Sequence, residues 1–250
     1  MASSTVSRRA VLAVVAAAAA LGFVVLAMQV SGTLGPTDLD SSALRNLPDW
    51  LTARDRRDFV EYLSYPGRPL AVVLASAVLA ALVWQQSRRR GPALFAAVAP
   101  ITVSVIAELV VKPLVDREAP TGGGQFFPSG HVVGIASVAV AAWLVWVSRW
   151  PSRTARMFAA GGLALVVVAV GTSRVVLRNH YATDAVGGAL YAVATVAAAA
   201  AIFLPDRSPT DGRSNTIAVT PDSSLDDDED VGAAAGFTSS AELPERRRTR

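Results

Sequence analysis

Six long apolar segments limit what this chain can fold into. They cover residues 10–30, 69–86, 92–112, 131–148, 157–173 and 182–204. A helix needs about 20 apolar residues to cross the hydrocarbon core of a bilayer, and lipid offers the backbone no other hydrogen-bond partner. The segments therefore predict an all-α integral membrane protein with six transmembrane helices. The fifth segment is short, and we expect its helix to extend toward Leu177.

The arginines predict how these helices are oriented. They lie in alternate loops flanking the apolar segments, at Arg8 and Arg9, at 88–90, and at Arg149, Arg153 and Arg156. The loop at 31–68 instead balances five arginines with six acidic residues. Because cytoplasmic loops carry the excess of Lys and Arg, both termini are predicted to be cytoplasmic, in a multi-pass protein of the cell membrane. The basic charge is thereby accounted for, and we expect no nucleic-acid partner.

Three regions follow from this pattern. Residues 1–9 form a cytoplasmic N-terminus, and residues 10–204 form the membrane domain, with outer loops at 31–68 and 113–130. Residues 205–250 are polar and cannot bury a core, so they are expected to be a disordered cytoplasmic tail. The first apolar segment is expected to be retained as a helix, a cleaved signal peptide being the alternative.

Within the first outer loop, residues 52–63 could form a short surface helix. Thr52 stands at a plausible N-cap, and the apolar residues come late in the stretch. Threonine is a favoured N-cap residue because its hydroxyl accepts a hydrogen bond from a free backbone amide. The sequence therefore predicts a helix that begins after Thr52.

The two histidines are the clearest candidates for chemistry. His131 ends the sequence Phe-Pro-Ser-Gly-His at 127–131, and His180 lies in the polar stretch 173–184. Imidazole transfers protons and attacks phosphorus near neutral pH. The absence of cysteine excludes a disulfide framework, thiolate catalysis and Cys-ligated metal. On the predicted topology both histidines lie at the same, outer membrane face.

Groups that bind anions accompany the histidines. Lys112 ends the third apolar segment, Arg174 closes the fifth, and Ser129 and Gly130 precede the fourth helix. Helix N-termini present free amides and the positive end of the helix dipole, and such ends bind phosphate. Glu108 precedes Lys112 by one helical turn and is expected to orient it. With no acidic cluster at metal-ligand spacing, we expect no metal and no cofactor.

His180 and Asp184 stand four residues apart, so on a helix they share one face. A carboxylate bonded to one ring nitrogen fixes the tautomer, leaves the other nitrogen free to attack, and stabilises the imidazolium that forms. His131 could then protonate the leaving oxygen as a general acid. The alternative for each histidine is an unreactive residue at a helix interface.

These residues carry a resemblance to a known family. Residues 128–131 read Pro-Ser-Gly-His, and Ser173, Arg174, His180 and Asp184 fit Ser-Arg-x5-His-x3-Asp. The chain resembles, over roughly 10–204, the type 2 phosphatidic acid phosphatase (PAP2) superfamily in its membrane lipid phosphatase branch. The resemblance implies that His180 is the nucleophile, Asp184 its partner and His131 the acid. It also implies that Lys112, Ser129, Gly130 and Arg174 hold the phosphate.

The first motif of that family, Lys-x6-Arg-Pro, is incomplete. Its arginine position is occupied by Ala119, so one phosphate contact is missing from its usual place. We predict that Arg117 or Arg178 replaces the lost charge, with Arg117 slightly favoured. The alternative is that Arg117 pairs with its neighbours Asp116 or Glu118.

The resemblance implies a metal-independent phosphatase that hydrolyses a lipid phosphate or lipid diphosphate at the extracytoplasmic membrane face through a phosphohistidine. Membrane lipids are its expected partners. Candidate substrates are a polyprenyl diphosphate such as undecaprenyl diphosphate, phosphatidate and phosphatidylglycerol phosphate. The alternatives are a phosphotransferase that uses the same site and a non-catalytic protein that binds or transports anionic lipids.

Overall fold

The computed structural model describes residues 7–33, 35–118 and 125–204. Within these ranges the chain is almost entirely helical, with one isolated bridge between Glu118 and Gln125. The predicted tail, Ala119 and most of the predicted N-terminal segment lie outside the described residues.

The described residues form ten α-helices. They are α1 Arg8–Val30, α2 Asp38–Arg45, α3 Asp49–Thr52, α4 Arg57–Ser64, α5 Pro69–Ser87, α6 Arg90–Ile106, α7 Lys112–Val115, α8 Gly130–Val145, α9 Arg153–Val176 and α10 Ala182–Phe203. A π-helical turn, Ala107–Val111, joins α6 to α7 without a break. Short 3-10 turns occur at Arg54–Arg56, Tyr65–Gly67 and Val147–Arg149.

Six of the helical segments are long and apolar enough to cross a membrane, which confirms the predicted number. They are Arg8–Val30, Pro69–Ser87, Arg90–Val115, Gly130–Arg149, Arg153–Val176 and Ala182–Phe203. The fifth ends at Val176, close to the expected Leu177. The third runs to Val115, so the loop predicted at 113–130 begins at residue 116. The helix includes Pro113, which is the second residue of α7.

Helix α8 lies at the centre of the bundle and packs against α5, α6, α9 and α10, while α1 packs against α10. The sequence of α8 explains its central position, since it consists mainly of Ala and Val and its glycines allow neighbouring helices to approach closely. At Gly188 of α10, an added Cβ would lie 3.0 Å from the Ser129 carbonyl oxygen. Large apolar side chains such as Leu74, Phe158 and Phe203 are exposed around the outside. Such a surface suits lipid rather than water.

The first outer loop differs from its prediction. Thr52 ends α3 and donates its hydroxyl to the Asp49 carbonyl, so it is not an N-cap. Ala53 is extended, and α4 begins only at Arg57 after a 3-10 turn. The cap that does form is at Thr37, whose hydroxyl and backbone exchange hydrogen bonds with Asp40 in a capping box.

Gly67 lets the first outer loop rest on α8. A Cβ at this position would lie 2.7 Å from the carbonyl oxygen and 2.8 Å from the Cβ of His131. Gly67→Ala is therefore expected to push the turn away from His131 and to destabilise the fold by about 1–3 kcal/mol. Thermal unfolding in detergent measures the effect. Gly161→Ala is the control, since open space surrounds Gly161 in α9; equal Tm values for the two variants would contradict the contact.

Candidate active site

A cavity of about 660 Å³ opens where α5, α6, α7, α8 and α9 approach one another. The helix-terminal residues Lys112, Gly130, His131, Arg174 and His180 line it together. The structure thus brings together groups that stand up to 68 positions apart in the sequence. The rest of the wall is mainly apolar and comes from α5, α6 and the π-helical turn, at Val72, Val73, Ile101, Val105 and Leu109.

His180 lies in the short connection between α9 and α10 and is 5% exposed. Its backbone amide donates to the Arg174 carbonyl, and its ring lies 5.4 Å from that of Phe126. Nδ1 is 3.4 Å from Asp184 Oδ2, longer than a strong hydrogen bond. Such contacts commonly tighten only when substrate is bound. Because Nδ1 faces the carboxylate, Nε2 is the nitrogen left to react.

The surroundings of His180 favour its neutral form. Burial lowers the pKa of this imidazole most strongly, while Asp184 opposes the shift and the positive Arg174 and Lys112 add to it. The net direction is downward from the ordinary value of about 6.5. A neutral imidazole carries the lone pair that nucleophilic attack requires.

His131 lies in the first turn of α8 and lines the same cavity as His180. Just before it, Ser129 is the N-cap of α8, and its backbone amide donates to the Asp184 carbonyl over 3.0 Å. This bond ties the start of α8 to the start of α10. Phe127 is fully buried and stacks on Phe23 of α1, which anchors the segment before the cap.

Lys112 forms the predicted pair with Glu108, at 2.6 Å between Nζ and Oε2. Glu108 belongs to the π-helical turn, a feature that often marks functional sites. Its carboxylate lies against Gly130, so closely that a Cβ on this glycine would overlap it. The Glu108 carboxylate thus lies beside Lys112 and the N-terminus of α8, where free amides favour an anionic group.

Arg174 supplies the second cation at the cavity. With its amide oriented so that the oxygen faces the guanidinium, Asn179 accepts from both terminal nitrogens of Arg174, at 3.2 and 2.9 Å. Among the described residues, Arg174 Nε and Ser129 Oγ are buried without a hydrogen-bond partner. Buried polar groups are normally paired. Arg174 lines the cavity and is therefore suited to a polar ligand, whereas Ser129 is fully buried and is not part of the lining.

Arg117 does not take the role that the sequence predicted. It is fully buried, and its guanidinium donates to Asp184 Oδ1 at 2.5 Å, to Thr183 Oγ1 at 2.6 Å and to Asp40 Oδ2 at 2.7 Å. It is absent from the lining of the cavity. The alternative pairing with Asp116 or Glu118 is also wrong, since Arg117 forms its ion pairs with the buried carboxylates of Asp40 and Asp184.

Arg178 is likewise outside the cavity. It is exposed, has a positive φ of 56°, and lines a separate groove with Arg54, Arg57 and Leu177. Arg178 also lines a smaller pocket together with His180 and Tyr181. Neither predicted arginine is therefore among the described residues that line the cavity with Lys112 and Arg174.

Sequence reasoning missed Asp40, which is fully buried and contacts both Arg117 and Thr183. Its only sequence signal is the capping box with Thr37, and that pattern indicates a helix start rather than a long-range partner.

For metals, no cluster of three or more His, Asp or Glu side chains occurs in the part of the chain that the structure describes.

The fold and the cavity define a polytopic membrane protein in which two histidines and two cations, Lys112 and Arg174, line one pocket. Residues 111–207 match the family model of the PAP2 superfamily. The matched range contains every histidine, cation and carboxylate that the sequence motifs identified, and the resemblance to this superfamily is confirmed. No curated protein matches the chain.

The fold is also similar to a solved structure, the crystal structure of a transmembrane PAP2-type phosphatidylglycerolphosphate phosphatase from Bacillus subtilis. The TM-score is 0.58 and the sequence identity 19%, over 75% of this chain and 94% of that one. At this identity the similarity establishes the six-helix fold. Function is argued from the site itself.

Proposed function

We propose that this protein hydrolyses a lipid phosphate or lipid diphosphate, at the extracytoplasmic membrane face, through a phosphohistidine at position 180. The single observation that carries the proposal is that His131 and His180 line one cavity with Lys112 and Arg174. The PAP2 match and the similarity to a phosphatidylglycerolphosphate phosphatase support the same class of reaction. The arginine distribution supports the face, because the loop before α8 is not one of the basic loops.

The two ends of the cavity suit the two ends of a phosphorylated lipid. The cationic corner suits the phosphate, since charge-assisted hydrogen bonds to Lys and Arg are among the strongest that proteins make. The apolar wall suits the chain, and Leu109, Val105 and Val73 on it are 72%, 48% and 43% exposed. These side chains face the lipid, so a substrate could reach the cavity while its tail stays in the bilayer.

In the first step, Nε2 of His180 attacks phosphorus while the bond from phosphorus to the lipid oxygen breaks. His131 donates a proton to that leaving oxygen, which departs as an alcohol or as a lipid phosphate. Lys112, Arg174, Ser129 and the amides at the start of α8 bind the phosphoryl oxygens as charge redistributes.

In the second step, water attacks the phosphorus of the phosphohistidine and the P–N bond breaks. His131, now neutral, accepts the proton that the water loses. Inorganic phosphate leaves, and His180 regains its lone pair. Asp184, beside Nδ1, stabilises the positive ring during both steps. All charges that this cycle needs come from side chains and amides, which is why we expect activity without a metal.

The pH dependence follows from the lowered pKa of His180. The nucleophile must be neutral, so kcat/KM should fall as acid protonates it. Because burial keeps the pKa of the folded protein below about 6.5, the acid limb of the profile should lie below that pH. A profile of kcat/KM between pH 4 and 8 in detergent measures it; an acid limb above 6.5 would contradict the burial argument.

Phosphate release by the purified protein tests the function directly. The panel contains phosphatidate, phosphatidylglycerol phosphate, a polyprenyl diphosphate and a water-soluble phosphate ester, each with excess chelator. We expect release from at least one lipid substrate, faster than from the soluble ester. Saturable lipid binding without release across the panel would instead support the non-catalytic binding protein, and release that requires an added alcohol would support the phosphotransferase.

A further inference from the structure

A buried cluster of charged groups lies behind the proposed catalytic carboxylate. Asp40, Arg117 and Asp184 are each 0% exposed, and Thr183 is 4% exposed. Asp40 comes from α2 in the first outer loop, Arg117 from the segment after α7, and the other two from the first turn of α10. The cluster therefore joins three distant parts of the chain immediately next to His180.

The contacts divide the oxygens of Asp184 between two tasks. Oδ1 accepts from Arg117 Nη1 at 2.5 Å, while Oδ2 accepts from the Tyr181 amide at 2.9 Å and lies 3.4 Å from His180 Nδ1. Fixing Oδ1 and the amide contact leaves the carboxylate little freedom to rotate. The orientation of Asp184 toward the imidazole is thus determined by Arg117 and by the backbone at Tyr181.

Asp40 holds Arg117 and the start of α10 at once. Its Oδ2 accepts from Arg117 Nη2 at 2.7 Å, and its Oδ1 accepts from the amide and the hydroxyl of Thr183, both at 2.8 Å. Burial by itself raises the pKa of Asp40, but hydrogen bonds from Thr183, Arg117 and Thr37 outweigh it and hold this pKa below its ordinary value. Asp40 is therefore ionised.

The charges of the cluster have a consequence for His180. Arg117 and Asp184 alone would form a neutral pair, and a neutral pair stabilises a neighbouring imidazolium poorly. Asp40 adds a second negative charge, so the cluster carries a net charge of −1 from two carboxylates and one guanidinium. In a buried site with a low effective dielectric, that uncompensated charge acts strongly on a ring a few ångströms away.

We propose that Asp40 and Arg117 are positioning residues for catalysis: Arg117 orients Asp184 toward His180, and Asp40 balances Arg117 so that the cluster keeps one negative charge for the phosphorylated imidazole. This rests on the function proposed above. It also assigns a use to Arg117, which lies neither in the cavity nor at the usual first-motif position. It does the same for Asp40, whose only sequence signal is a capping box.

Charge balance can be tested with a set of near-isosteric variants. Asp40→Asn makes the cluster neutral, Arg117→Gln gives it a charge of −2, and the double variant restores −1. Asp38→Asn is the matched control, because Asp38 is exposed on the same helix, two residues away. The other ionisable groups near His180 stay unchanged: His131, Arg174, Lys112, Glu108, Arg178 and Tyr181.

The readouts are kcat, KM, the acid limb of the pH profile and Tm in detergent. Asp40→Asn should lower kcat by about tenfold or more with little change in KM, as is common when a residue that orients a catalytic group is removed. Its acid limb should move to lower pH, because the imidazolium loses stabilisation. Arg117→Gln should move that limb to higher pH, the double variant should return it toward wild type, and Asp38→Asn should leave every readout unchanged.

A purely structural role predicts a different pattern. The single variants would then lose Tm and active fraction while the acid limb stays in place, and the double variant would be worse than either. That result, or unchanged kcat in Asp40→Asn, would overturn the proposal. Should Arg117→Gln not purify as folded protein, Asp40→Asn and the double variant still distinguish the two roles. A positioning role predicts that the double variant recovers the acid limb that Asp40→Asn shifts, whereas a structural role predicts that it is worse. If the positioning proposal fails alone, wild type still releases phosphate and is labelled at His180. If the proposed function fails, wild type releases no phosphate.

Discussion

Replacing His180 with alanine is expected to lower kcat for phosphate release by about 1,000-fold or more, the scale on which loss of a covalent nucleophile acts. The reason is that, in the proposed cycle, Nε2 forms the bond to phosphorus. Lys112, Glu108 and Arg174 carry no imidazole, and His131, the other imidazole of the cavity, is assigned to the leaving oxygen rather than to phosphorus. Release of inorganic phosphate from the preferred lipid substrate, in detergent, measures the loss. KM should change less, since the phosphate-binding cations remain.

The matched control is Arg178→Asn. Arg178 lies two residues before His180 on the same connection but is exposed and outside the cavity. Asparagine tolerates the left-handed backbone found there. This variant should retain activity close to wild type, so a comparable loss in both would indicate damage to the connection rather than to the nucleophile.

Covalent trapping extends the same prediction. Substrate carrying a labelled phosphoryl group, quenched rapidly with base, should leave label on wild type and none on His180→Ala, because phosphohistidine survives base and is hydrolysed by acid. Label that persists in His180→Ala, or turnover in wild type with no trapped label at any time point, would contradict the covalent route.

Replacing His131 with alanine is expected to lower kcat for a lipid phosphate monoester by about 100- to 10,000-fold, the usual contribution of a general acid or base. The leaving alkoxide of such a substrate is a strong base and needs a proton as the P–O bond breaks. An aryl phosphate has a leaving group that departs without one. The formation of phosphohistidine from the aryl substrate should therefore be much less sensitive to the substitution.

Burst kinetics distinguishes the two roles of His131. With the aryl substrate, His131→Ala should release aryl alcohol in a burst equal to the enzyme concentration, followed by slow turnover, because water attack still lacks its base. Ser137→Ala is a control on the same helix, buried in α8 away from the cavity lining. Equal losses with alkyl and aryl substrates, without a burst, would contradict the acid–base assignment.

The membrane-spanning helices could be predicted from the sequence because their cause is local. A bilayer requires a minimum apolar length, and each segment meets that requirement by itself. His180 and Asp184 are close in sequence and are also found together, although His180 lies in the connection before α10 rather than on that helix as predicted. The pair between Glu108 and Lys112 follows from the same short-range geometry and is found in the structure.

Two of the predictions fail for different reasons, one local and one remote in the sequence. Thr52 has a good capping side chain, but the extended backbone at Ala53 ends the short helix before a new one begins. The sequence predicts Arg117 at the phosphate because the positive charge of the family's first motif is missing two residues later, at Ala119. Instead it donates a hydrogen bond to the buried carboxylate of Asp40 in α2, 77 residues earlier.

The sequence by itself determined the six membrane helices, the two histidine motifs and the cations beside them, since each depends on length, composition or spacing within a few turns. Only the tertiary structure decided which arginine faces the cavity and which supports Asp184 from behind. The physical reason is that an ion pair between distant residues depends on where the chain brings them together, and neither partner carries a local pattern that reveals the other.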